Sequence, residues 1–223
     1  MAKDIIQLNT EVFSKHAALT LIDEINKVRE LTVDGPIGSA YNETSPKILW
    51  VLREAHGNGG SSLISDVNED LLDRENPEWP KWYSTWGLVI KVSDSILSSL
   101  PGMNTAHPST LKQILKRVAV INLNKFGGGG KLSKHYLKGA NLCRQLTGEQ
   151  IQILQPDIII YAGTGYDSLR IGLNNFASKD FWPSKDNFPS VQANGRIHIS
   201  AYHTGQRKIK HKKYCDMVIA HLE

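Results

Sequence analysis

Three short stretches of the chain hold side chains able to do chemistry together. "REAHG" at 53–57 offers a guanidinium, a carboxylate and an imidazole beside a glycine. "VINLNK" at 120–125 offers two amides and an amine, and "AYHTG" at 201–205 a phenol and an imidazole. Arg53 and Lys125 are suited to phosphate, and Glu54, His56 and His203 to proton transfer or metal ligation. The metal reading fails on spacing: no fixed ligand interval and no further acidic cluster accompany these residues, so no metal is expected. An ion pair between Arg53 and Glu54 is the plain alternative for that pair. A fourth stretch, "RKIKHKKYC" from Arg207, brings Arg207, Lys208, Lys210, Lys212 and Lys213 close together. Such a run is either a solvated helix face or a source of sequence-independent, salt-sensitive affinity for nucleic acid.

The elements that must position these groups can be read from the apolar pattern. "KILWVL" (47–52), "VAVINL" (118–123), "DIIIYAG" (157–163) and "RIHISAYH" (196–203) have strand character, the first three almost continuously apolar. That is the pattern of parallel strands covered on both faces. Helical patterns separate or follow them: "TWGLVIKVSDSILSSL", "YLKGANLCRQLTGEQIQILQ", "GYDSLRIGLNNF" and the C-terminal "RKIKHKKYCDMVIAHLE". Alternation of this kind predicts right-handed crossovers and a doubly wound sheet, a three-layer α/β/α architecture around four parallel strands. Ligands of such sheets bind outside the carboxyl ends of the strands, where all the residues named above fall. Upstream, Ala18, Leu21, Ile22, Ile25 and Val28 form one apolar stripe. They predict an amphipathic helix within an N-terminal extension (1–45) packed on a single domain spanning 1–223.

Composition sets the outer bounds. With 223 residues, 40% hydrophobic and 22% charged, the chain has the make-up of a soluble globular protein. A net charge of +4 permits an anionic partner without requiring one. Cys143 and Cys215 are too few for a disulfide framework or a cysteine-bound cluster. No apolar run approaches a bilayer span and "MAKDIIQLNTEVF" lacks a signal-peptide core, so a cytoplasmic protein without membrane contact is expected. "GGGGK" at 127–131 departs from the phosphate-loop motif because Leu132 follows the lysine, and "HPS" at 107–109 reads as a turn and helix start.

In their order along the chain, these features resemble the uracil-DNA glycosylase superfamily, most closely the branches whose first motif reads Gly-Glu-Ala-Pro-Gly. "REAHG" stands for that motif, "VINLNK" for the strand closed by an Asn, "QPDIIIYAG" for the third strand, and "AYHTG" for the His motif. The resemblance covers roughly residues 45 to 223. It implies a uracil-DNA glycosylase-like fold with Asn122 reading the base edge and Trp86, Trp82 or Tyr83 stacking on the base. His203 would hydrogen-bond the departing base, and Glu54 with the loop around Ala55 and Gly57 would place base or water. Lys125 joins the substrate-binding set, and Arg207, Lys208, Lys212 and Lys213 would grip DNA. The departures are specific. Arg53 replaces the leading Gly, His56 the Pro, and Thr204 the Pro after the family His, while Ala55 stands where the best-known branch has an activating Asp. With only Cys143 near a cluster-ligand position, no iron–sulfur cluster and no other cofactor is expected.

The implied activity is hydrolysis of an N-glycosidic bond that excises a damaged or unusual base from DNA. Two alternatives accompany it: a base-binding or nucleic-acid-binding protein of the same fold that does not cut, and a nucleoside or nucleotide hydrolase with Arg53 and Lys125 on phosphate.

Overall fold

The structure, a computed structural model, describes residues 34–56, 67, 83–99, 111–128, 146–164, 181–205 and 209–222. In chain order these form β1 (Gly35–Pro36), a 3-10 turn (Ser39–Glu43), β2 (Ile48–His56), α1 (Tyr83–Ser99), α2 (Leu111–Leu115) and β3 (Val118–Gly128). Then follow α3 (146–154), β4 (Ile158–Ala162), β5 (Ser190–Ala193), β6 (Arg196–Ala201) and α4 (His211–Ile219). The N-terminal amphipathic segment and "GYDSLRIGLNNF" lie outside the described residues.

The strands make one mixed α/β sheet in the order β1-β3-β2-β4-β6-β5. The expected four strands are its middle, and each neighbouring pair among them is parallel. Among the described residues the sheet has six strands rather than four, because an antiparallel strand flanks either side: β1 on β3 and β5 on β6. β5 enters β6 through a two-residue turn, Asn194–Gly195, with φ of +53° and +72°. Both values lie in the left-handed region that such tight hairpins demand, which is why Asn and Gly occupy them.

Alternation along the strands divides the core. Ile48, Trp50 and Leu52 of β2 join Val118 and Val120 of β3 on one face, under α1, α2 and α4. There Trp50 donates its indole N–H to Ser93 Oγ of α1 at 3.0 Å, so the one polar atom of a fully buried ring is paired. Leu49, Val51, Ala119 and Ile121 pack on the other face with Ile151 and Leu154 of α3 and with Phe181. Helices thus lie on both faces.

A second correction concerns "REAH". The abrupt change from apolar to polar after Leu52 reads as the end of a strand, yet β2 runs on to His56. Its backbone stays paired with β3, so pairing rather than side-chain burial sets the strand's length. Glu54 lies opposite Asn124 and His56 opposite Gly128. Two residues of β2 therefore span four of β3, a bulge at the carboxyl rim that takes in Gly127 of the "GGGG" run.

Candidate functional site

From β2 the chain steps to β3 on one side, then returns past β2 to β4 on the other. Right-handed crossovers put the helices of these two connections on opposite faces, as α1 and α2 against α3 show. In open α/β sheets such a reversal marks the carboxyl ends of the two strands where it occurs, here β2 and β4, as the place where ligands bind.

Several contacts shape that rim. Thr164, just past β4, donates its hydroxyl to Val51 O of β2 at 3.0 Å. Gly163 N–H bonds Ala201 O at 2.8 Å, tying β4 to the end of β6. Gly163 has a φ of +74°, and a Cβ there would stand 3.0 Å from His203 Cβ. Only glycine meets both demands, so β4 can press directly on the His203 turn. The imidazole in turn accepts a hydrogen bond on Nδ1 from Gly205 N–H at 3.0 Å. That bond fixes the neutral ring with its hydrogen on Nε2, a donor. The hypothetical Cβ of Gly205 would lie 3.2 Å from His203 Nδ1 and 3.3 Å from Thr85 Oγ1, so the His203 turn rests on the first residues of α1. Thr204 is fully buried, and its hydroxyl has no hydrogen-bond partner among the described residues.

On β3, Asn122 continues the face of Val118 and Val120 and pairs in register with Leu52. It is 1% exposed, yet neither Oδ1 nor Nδ2 has a hydrogen-bond partner among the described residues. Its backbone N–H donates to Asp34 Oδ2 at 2.6 Å, and Asp34 Oδ1 accepts from Gln150 Nε2 of α3 at 2.8 Å. Asn122 pairs with Leu52, one rung beyond the Val51–Tyr161 pair, and His203 follows two residues after Ala201, the end of β6. Three strand spacings separate their backbones, about 14 Å at about 4.8 Å each. That is room for two side chains reaching inward around one small ring system. No protein-family model matches this chain. No curated protein matches it in sequence either.

The other expected site residues are distributed as follows. Glu54 and Ala55 are on β2 and Lys125 on β3, at the rim, with their side chains outside the described residues. Gly57, Trp82, Arg207 and Lys208 lie outside the described residues altogether. Trp86 is on α1, 3% exposed, in the apolar cluster between that helix and the sheet. Lys212 and Lys213 stand in the first turn of α4 on the solvent side, beside the buried Tyr214 and Cys215. Lys212 Nζ is 3.7 Å from Asp216 and Lys213 Nζ is 2.7 Å from Asp186. The Lys213 ammonium, chiefly through its hydrogen bond, holds the Asp186 carboxyl below its ordinary range. Among the described residues no cluster of three or more His, Cys, Asp or Glu could hold a metal, and no helix is long and apolar enough to cross a membrane.

Asp34 and Gln150 escape sequence reading. "VDGP" signals a turn and nothing more. The Asp34 carboxylate meets a backbone amide 88 residues away, a contact that no local pattern encodes.

Proposed function

We propose that this chain is a divergent uracil-DNA glycosylase-like hydrolase that releases a damaged or unusual base from DNA. One observation carries the reading: the buried Asn122 amide, with donor and acceptor both unpaired among the described residues. A buried amide lacking partners costs a fold about 1–3 kcal/mol per unsatisfied group, and such a cost persists where a ligand supplies the partner. An amide's adjacent donor and acceptor match the complementary edge of a nucleobase.

The chemistry follows from charge. As the bond between C1′ and the base nitrogen breaks, its electron pair leaves with the base and the sugar becomes cationic. A water oxygen bonds to C1′ and gives up a proton, leaving a hydroxyl on the sugar. His203, with Nδ1 occupied by Gly205 N–H, presents Nε2–H as a donor to the anionic base. Asn122 aligns the base edge, and Glu54, at the rim on β2, would orient the water. Lys212, Lys213 and the preceding basic residues supply affinity for the phosphate backbone.

The test is a base-release panel over labelled oligonucleotides carrying uracil, hypoxanthine, xanthine and alkylated bases. Release from at least one, abolished by His203→Ala and by Asn122→Ala, is the expected result. No release from any member refutes the enzymatic reading. Ala55, standing where the best-known branch has an activating Asp, favours a second one, a protein that holds a base without cutting it. Salt-dependent binding of the same oligonucleotides with no free base marks that outcome.

A further inference from the structure

We propose that Asp34 is a positioning residue for the Asn122 amide, acting through the β3 backbone. This rests on the reading of Asn122 as the group that recognises the base edge. Asp34 is fully buried, immediately before β1. The β1–β3 ladder pairs Pro36 with Ala119 and Gly35 with Val120. Past that rung a side chain takes over from the backbone, and Asp34 Oδ2 accepts the Asn122 N–H at 2.6 Å. A carboxylate acceptor makes a shorter and stronger bond than a peptide carbonyl would. The other carboxylate oxygen accepts from Gln150 Nε2 at 2.8 Å, and Gln150 is itself fully buried on α3. One group thus clamps Asn122 to α3, the helix on the sheet face opposite α1.

The location is informative. Burying a carboxylate costs several kcal/mol before its hydrogen bonds offset it, and one further backbone rung would have satisfied the same N–H without charge. A rung, however, holds a strand only sideways. The Asp34–Gln150 pair also fixes β3 against α3, and so sets how far the Asn122 side chain projects from the α1 face. An amide that must meet a planar base edge tolerates little error: a displacement of about 1 Å costs on the order of 100-fold in a positioned reaction.

The measurement that isolates positioning is a ratio of base-release rates, taken in one preparation for the two panel oligonucleotides from which the wild-type chain releases base fastest. A smaller folded fraction scales both rates equally and leaves the ratio unchanged. Displacement of the amide that reads the edge changes it. D34A is expected to shift the ratio by on the order of tenfold. D34N is expected to recover most of the difference: its carbonyl still accepts the Asn122 N–H, and Gln150 can turn its amide to accept from the new NH2 group. Should D34A not fold, D34N decides alone through a smaller shift, together with an upfield move of the Asn122 backbone amide proton as the acceptor loses its charge. An unchanged ratio in every folded variant overturns the proposal while leaving the site reading intact. If Asn122→Ala leaves rate and ratio unchanged, or the wild-type chain releases no base of the panel, the site reading fails and this proposal falls with it.

Discussion

Asn122→Leu is the most discriminating substitution, because function and stability should move in opposite directions. The side chain is 1% exposed and both its polar atoms lack partners among the described residues. Each such group costs about 1–3 kcal/mol, and replacing it by an apolar group of similar shape removes the cost. Leu has nearly the same branched outline and belongs on a face already built from Val118, Val120 and Leu52. The backbone N–H that bonds Asp34 is untouched. Allowing for imperfect fit, the net stabilisation should be about 1–3 kcal/mol, half of the sum for two groups. For a chain of this size each kcal/mol raises Tm by about 2–4 °C. Thermal unfolding followed by circular dichroism should therefore show a rise of about 2–12 °C, with base release or base binding lost. A fall of about 1 kcal/mol or more in urea titration would refute the reasoning. It would mean that the native amide is satisfied, and that its burial contributes to the fold rather than to recognition.

Three further outcomes follow from the geometry. His198 is buried on the α3 face of β6, with Nδ1 3.0 Å from Tyr161 Oη, and burial lowers its pKa from 6.5 to about 4. The unfolded chain therefore binds a proton that the folded one refuses, so stability is full above pH 6.5 and falls as pH drops towards 4. Urea titrations across that interval should lose up to about 3 kcal/mol, less for residual hydration, and His198→Leu should flatten the dependence. Gly163→Ala places a Cβ at φ +74° and 3.0 Å from His203 Cβ; a loss of about 1–2 kcal/mol in chemical denaturation is expected, and wild-type stability would contradict the steric argument. Replacing Lys212 and Lys213 by Ala should leave Tm unchanged and make the plot of log affinity against log salt shallower for duplex DNA, by about 0.9 for each phosphate no longer neutralised. An unchanged slope would remove α4 from the DNA interface.

The parts of this fold legible in the sequence are those written in side-chain hydrophobicity. β4 is buried along its whole length, and "IIIYA" admits little else in an α/β chain. β5 is illegible for the opposite reason: Ser190 and Gln192 face solvent, Val191 and Ala193 are only half-buried, and so short a strand carries too weak an apolar signal. Its position is nevertheless encoded next door, where Asn194–Gly195 is a hairpin signature. The "REAH" extension of β2 misleads because polarity marks burial, whereas strand length follows backbone pairing, which every residue type supports. At the site, Asn122 and His203 are legible as polar residues that close apolar runs, although β3 continues past Asn122 to Gly128. Asp34, Gln150 and Gly205 are not, since each acts through hydrogen bonds to groups that no motif marks.

The two flanking strands have a consequence for how the molecule behaves in a crowded solution. β1 is two residues long and one of them is Pro36, which has no N–H to lend; β5 is four long and begins directly after Pro189. Among the described residues, neither border offers an extended template on which another chain could build a ladder. The parallel centre, apolar on both sides, is thereby screened at these two borders from pairing edge to edge with a second copy.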